Sequence, residues 1–548
     1  MSDRPWRRVN VPHQALRHAL QQLCPFSHLL ARGFLAGMLT AGPALASRWP
    51  DQGRHEAWFH PRPWAGLHAR ESIPRSWTVR PWHRLGAHAP GWRASDWRVS
   101  DGHAPARRAA HGREGHAPRH LLAIATAPRR AVLAEPLPPP ADPRLLIFYR
   151  ALEAIESGRR RDPVVVLQIG DSHTANDSFS GRLRELFQRR FGAGGRGVLP
   201  AGIPYPYFRP AGVQVSATGW DRLGGKPTGP GADPPPPALI GLAATRMHSA
   251  GPAEMTYTVD DPADLRRVAI EIVQQPGGGM LSVAYDGRPA WLLGTAGEHP
   301  PGRAVWVALP PTGGAHTMTL RAHGDGPVDL LAVDLRRAQP GVIWANLGTV
   351  GATVSQVASW DPAVVAADLA HLHPDLIVLA FGTNEGFATS LDEAAYQASF
   401  EHAARLLAQT GAPLAVIEPP DGNRRAAAGP GVTASAAAAY VPAGPIWPVC
   451  GPALDESGRP AGVWEEPAAL AVVRRAQAAV AARHNWFAWD WATAMGGPCG
   501  MARWAAATPP LAYPDHVHLR EAGARQTAEA LFSALMSGYA RLAAAHGP

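Results

Sequence analysis

The chain has 548 residues, with 52 basic and 44 acidic side chains and a hydrophobic share of 46%. That is enough for more than one domain with a buried core. Its formal charge of +8 is concentrated: residues 1–143 hold 20 arginines against 9 carboxylates, and the rest of the chain is slightly acidic. A nucleic-acid enzyme would carry its positive field around its active site, so no nucleic-acid partner is expected. No apolar run is long enough for a mature transmembrane helix, which argues against stable membrane insertion. There is no CxxC pair and no HExxH, so neither a metal site nor a cofactor is expected.

Residues 1–143 are rich in Arg, His, Trp and Pro and lack a sustained helix or strand period. They read as a disordered basic region. Inside it, Leu29 to Ala46 is apolar and ends in Ala44-Leu45-Ala46 before Ser47, as a signal-peptide core with its cleavage site would. Export to the periplasm or beyond is therefore expected. A stiff Pro-rich linker, Glu135 to Pro140, leads into the folded body.

From residue 144 the pattern becomes regular. A helix is predicted over Leu145–Ser157, with Ile147, Leu152 and Ile155 on its buried side. A strand follows at Val164–Ile169, then a helix over Gly181–Phe191 that buries Leu183, Leu186, Phe187 and Phe191. Gly192 to Gly197 is glycine-rich, but it lacks the Gly-Lys-Ser/Thr of a phosphate loop and follows a helix. It reads as a flexible loop near the rim of a site. Tyr205, Tyr207, Phe208 and Trp220 suit either a sugar platform or domain-junction packing.

Between residues 214 and 339 short alternating runs separated by Gly, Pro and Asp predict an inserted β-sandwich. They are Met255–Val259, Val268–Val273, Leu281–Tyr285, Ala304–Leu309, Thr317–Ala322 and Leu330–Leu335. From 340 to 548 strands and helices alternate again. Strands are predicted at Val342–Leu347, Leu376–Ala380, Pro413–Glu418 and Trp486–Asp490, and helices at Val364–Leu372, Leu391–Gln409, Pro467–His484 and Arg520–Ala544. A Gly/Ala/Pro-rich loop fills Gly422–Pro448. This rhythm implies an α/β fold with helices on both faces of a parallel sheet, interrupted by the insertion. Cys450 and Cys499 either pair in an oxidising compartment or remain two thiols.

Such a sheet places its site beyond the carboxyl ends of its strands. The first strand runs into Gly170-Asp171-Ser172, the second ends ahead of Gly351, and the third ahead of Asn384. Asp515-His516-Val517-His518 stands before the last helix. A serine hydroxyl is a weak nucleophile until a base takes its proton. His518 can be that base and Asp515 can hold its tautomer. The backbone N–H groups of Ser172 and Gly351 and the Asn384 amide can form an oxyanion hole. Each residue also fits a plainer role, Ser172 and Asp515 as helix caps and Asn384 as a loop stabiliser. His516 reads as solvent-facing or as a rim residue, His173 as packing against the turn ahead of contacting substrate, Glu385 as structural, and His371 and His373 as non-catalytic.

These blocks, in this order, resemble those of the SGNH (GDSL-type) hydrolases. The second block is Asn346-Leu347-Gly348-Thr349-Val350-Gly351-Ala352-Thr353 and the third Gly382-Thr383-Asn384-Glu385, with Glu where many members carry Asp. The match covers residues 144–213 and 340–545. It implies a three-layer, flavodoxin-like α/β/α fold and a Ser172–His518–Asp515 acyl-enzyme mechanism. Gly170 to Ala175, Gly181-Arg182-Leu183, the glycine run, Gly382 to Phe387 and the β-rich insertion more narrowly resemble bacterial peptidoglycan O-acetylesterases. In those enzymes the insertion is like a carbohydrate-binding module. The resemblance implies a secreted or periplasmic esterase whose partner is an acetylated glycan, peptidoglycan first. An O-acetyltransferase on the same triad and a non-catalytic glycan-binding protein are the alternatives.

Overall fold

The computed structural model describes residues 142–224, 239–310, 312–426, 448–455 and 458–546. The expectations for residues 1–141, the signal sequence and Pro-rich linker included, lie outside the described residues. Most of the predicted 422–448 loop does so too.

One sheet is wholly parallel. Numbering its strands alone, they are β1 (Val164–Gly170), β2 (Val342–Gly348), β3 (Leu376–Ala380), β4 (Leu414–Ile417) and β5 (Phe487–Trp489), in the order β2-β1-β3-β4-β5. Their residues are apolar almost without interruption, as a sheet covered on both faces requires. Alternate residues go to opposite sides. Val164, Val166, Trp344 and Val378 pack with the helices Leu146–Glu156, Asp177–Phe191 and Glu521–His546. Val165, Leu167, Ile343 and Leu379 pack with Pro362–Leu372, Glu393–Ala408 and Ala468–Arg483. In the first of these helices Phe148, Tyr149, Ala151, Leu152 and Ile155 are buried. Ile147, expected on that face, is 59% exposed; it lies a position off the stripe that its neighbours form.

Register sets the site. Gly170 at the end of β1 pairs with Gly348 on one side and Ala380 on the other, so three chain segments leave the sheet at one level. Both glycines are required there. A Cβ on Gly348 would meet the backbone of Thr174 and Ala175, and one on Gly170 would meet Thr174 and the Ala380 carbonyl. Only bare backbone lets the serine-bearing turn lie flat across the strand ends.

The chain from Gly195 to Arg336 builds two antiparallel sheets. One holds Arg303–Ala308, Arg267–Gln274, Val328–Arg336, Thr245–Ser249 and Asp221–Gly224, with Gly195–Pro200 also paired to Val328–Arg336. The other holds Val213–Thr218, Pro252–Val259, Thr317–His323, Met280–Tyr285 and Arg288–Gly294. Their inner faces share one apolar cluster that includes Met255, Tyr257, Ile270, Val283, Leu320 and Leu330. Val328–Arg336 is buried along nearly its whole length. One of its faces joins that cluster, while Leu331 and Ala332 pack toward Val364 and Ile343 of the parallel-sheet body.

This corrects the reading of Gly192–Gly197. The segment is not a flexible loop at a rim: Gly195–Pro200 is a fully buried strand. Its glycines answer to close packing, because a Cβ on Gly195 would strike the Leu335–Arg337 backbone. A second addition is a three-stranded sheet of Arg424–Ala426, Pro460–Glu465 and Val449–Leu454. Pro and Gly interrupt its strands and hide their period. Cys450 and Cys499 form a disulfide, which ties this sheet to the turn before the helix Gly500–Ala506.

Candidate active site

At the end of β1 the chain turns into a short helix, Ser172–Ala175. Asp171, not Ser172, caps it, accepting the His173 N–H at 3.0 Å. Ser172 is thereby left at the first helical position, and its Oγ lies 3.1 Å from Nε2 of His518. On the other side of that imidazole, Nδ1 lies 2.8 Å from Asp515 Oδ2. Asp515 Oδ1 accepts the backbone N–H groups of Val517 and His518, each at 3.0 Å. The helix-cap geometry read as the plainer role of Asp515 therefore coexists with its contact to the imidazole. Burial opposes ionisation of Asp515, but the hydrogen bonds from His518 and from the two backbone groups hold it below the usual carboxylate range. The structure thus brings Ser172 together with Asp515 and His518, which lie more than 340 positions further along the chain.

Gly351 and Asn384 leave the neighbouring strand ends. Gly351 has φ +70°, a conformation glycine adopts without strain. Asn384 donates from Nδ2 to the Ala352 carbonyl at 2.8 Å, which ties its amide to the Gly351 turn. That bond uses one of the two N–H groups of the amide.

Two buried carboxyl groups lie beneath these loops. Asp171 is pushed up to about 6 by burial, against hydrogen bonds from His173 and Thr383. Glu385 is pushed up to about 7 by burial and by the nearby Asp171, although it accepts the Val354 N–H at 2.7 Å. Glu385 therefore joins the turn after β2 to the turn after β3, the structural role expected of it. His173 is buried between Trp491 and His518, with ring centroids 5.2 and 5.6 Å away. Burial, then the charge of His518, pushes it down to about 3, so it stays neutral. His371 lies away from this edge, stacked on Trp306 and 3.0 Å from Asp334.

His516 is partly buried and held by its neighbours. Its ring stacks on Trp464 at 3.9 Å with an interplanar angle of 10°. Its carbonyl accepts the Asn423 N–H at 2.9 Å. Asn423 contacts Cys450 Sγ, and Asp421 accepts the Met501 N–H at 2.8 Å. The disulfide-tied small sheet thus supports the loop that carries Asp515 and His518. Sequence reading missed Trp464, Asp421 and Asn423, because nothing in their spacing points to a loop about 50–90 residues away. The cap Asp171 was open to detection, as Asp before a short helix.

Beside Ser172 is a cavity of about 20 Å³, walled by His173, Phe179, Trp491, His518 and Leu519.

No protein-family model matches the chain, and no curated protein matches it. Solved structures do. A peptidoglycan O-acetylesterase aligns with 72% of this chain and 96% of its own, at 23% identity and a TM-score of 0.56. The chain shares the fold of that protein over the aligned residues. A lipase/acylhydrolase from Enterococcus faecalis matches 36% of this chain and 77% of its own at 16% identity, with a TM-score of 0.22. A family two carbohydrate esterase from Cellvibrio japonicus matches 63% and 98% at 13% identity, with a TM-score of 0.21. Among the described residues no helix is long and apolar enough to cross a membrane.

Proposed function

We propose that the protein is a secreted or periplasmic serine esterase that removes O-acetyl groups from a glycan polymer, O-acetylated peptidoglycan first. One observation carries the reading: an unbroken polar relay from Asp515 through His518 to Ser172 at the carboxyl edge of a parallel sheet. His518 takes the Ser172 proton as Oγ attacks the ester carbonyl, then returns it to the departing sugar hydroxyl. Water, activated by the same imidazole, releases acetate from the acyl-enzyme. Asp515 holds the Nδ1–H tautomer and stabilises the imidazolium. Ser172 N–H, Gly351 N–H and the second Asn384 N–H receive the oxyanion.

The cavity beside Ser172 is little larger than one water molecule and leaves no space for a long acyl chain, which supports a small acyl group. The disulfide supports an oxidising compartment. The shared fold with a peptidoglycan O-acetylesterase supports the polymer. The test is acetate release from 4-nitrophenyl acetate and from O-acetylated peptidoglycan. Ser172→Ala should abolish both, and Asn384→Ala should lower kcat by about 10²–10³. Full turnover by Ser172→Ala would overturn the mechanism. Turnover of the aryl ester alone would overturn the substrate.

A further inference from the structure

A groove of about 590 Å³ opens beside the Ser172 cavity, and Asn176 lines both. It is of the size that holds a small ligand, roughly 300–1,000 Å³. Its floor has an unbalanced charge. Arg184 and Arg196 both pair with one carboxylate, Asp177 Oδ2, at 2.7 and 3.0 Å, and all three side chains are at least nine-tenths buried. Arg184 spends a further N–H on the Trp344 carbonyl and Arg196 one on the Ala211 carbonyl. Nη1 of Arg196 has no partner. Burial and the charge of Arg184 push Arg196 down to about 10, as expected of a cation with too little counter-charge.

The groove lining as a whole keeps one positive charge in excess, with five arginines (Arg182, Arg184, Arg196, Arg209 and Arg525) against four carboxylates (Asp177, Glu185, Asp264 and Glu521). Glu185 is engaged by Arg182 and Arg189 at 2.7 and 3.1 Å, and Asp264 shares Arg337 with Asp261, at 2.6 and 2.7 Å, while the Asp264 charge also reaches Arg196. Exposed Arg209 donates only to the Phe208 carbonyl, and exposed Arg525 comes no nearer an acid than 3.9 Å, to Glu185. Glu521 is the one remaining acid of the wall. A buried cation without its counter-ion is costly, and an anion from outside would relieve it. One spare positive charge matches a monoanion, and guanidinium forks match a planar carboxylate.

We propose that this groove is a carboxylate-binding subsite. It would hold an acidic substituent of the same glycan whose ester lies at Ser172, and so select acidic acetylated polymers over neutral ones. The inference rests on the esterase reading, and its test separates the two. Ser172→Ala protein is titrated calorimetrically with an O-acetylated disaccharide-peptide fragment of peptidoglycan, with its carboxylates intact or converted to primary amides. The carboxylate form should bind about tenfold more tightly. Arg209→Ala/Arg525→Ala, placed in the Ser172→Ala protein, should remove that preference without weakening the amide form. In the otherwise wild-type chain the same pair should leave 4-nitrophenyl acetate turnover unchanged, which also reports that the fold is intact. Equal affinity for the two fragments, or equal weakening of both by the double change, would overturn the subsite. Because binding needs no turnover, failure of the wild type to release acetate would overturn the esterase reading alone.

Discussion

Replacing Asp515 by Asn tests whether the relay performs the chemistry. The carboxylate makes two kinds of contact: Oδ1 accepts two backbone N–H groups at 3.0 Å, and Oδ2 faces Nδ1 of His518 at 2.8 Å. An amide cannot satisfy both sides with His518 in its working tautomer. Turning its NH₂ toward Val517 and His518 N–H would forfeit two hydrogen bonds worth about 1 kcal/mol or more each and set donors against donors. The amide oxygen therefore stays on the backbone side and the NH₂ faces Nδ1. The imidazole answers by moving its proton to Nε2, where it can no longer accept the Ser172 proton. In a Ser-His-Asp triad the wrong tautomer lowers kcat by about 10⁴, which is about 5.5 kcal/mol of barrier. KM should hold, since Asp515 lies behind the imidazole. Initial rates of 4-nitrophenyl acetate hydrolysis, read beside a thermal melt, measure this. A folded Asp515→Asn protein whose kcat stays within tenfold of wild type would refute the reasoning.

Glu385→Gln should reshape the pH dependence of stability. A buried carboxyl whose folded value is raised to about 7 contributes fully below its unfolded value of about 4.5, and that contribution is lost as pH rises through the folded value. The loss is about 3 kcal/mol. Denaturant melts should thus show the variant gaining on wild type by up to that amount between pH 4 and pH 8, and a pH-independent difference would contradict it. Trp464→Ala should lower kcat up to about tenfold, from the roughly 0.5–1.5 kcal/mol that ring packing supplies to the acid–base loop. Reducing the Cys450–Cys499 bond should act in the same direction. Unchanged kcat after both would show that this loop stands without the small sheet.

Local chemistry was enough to read the parallel sheet and the residues at its edge. Runs such as Val164–Gly170 and Leu376–Ala380 have no stable place except between two layers of helices, and the Gly-Asp-Ser turn needs a strand end to sit on. Asp515 and His518 were legible because they share one short loop, where three-residue spacing lets the carboxylate reach both the backbone and the ring. The distance from Ser172 to His518 was a different kind of quantity. It depends on the register of β1 with β2 and β3 and on where the closing helix docks, and no local pattern encodes either. The same holds for Gly195–Pro200, which looks like a loop because its glycines serve close packing against a strand more than 130 residues away. Trp464 and the Arg184–Asp177–Arg196 cluster likewise became visible only in three dimensions, and the choice between a Cys450–Cys499 bond and two thiols was made there too. Stacking, disulfide geometry and charge balance are properties of neighbours in space, and those neighbours are scattered along the chain.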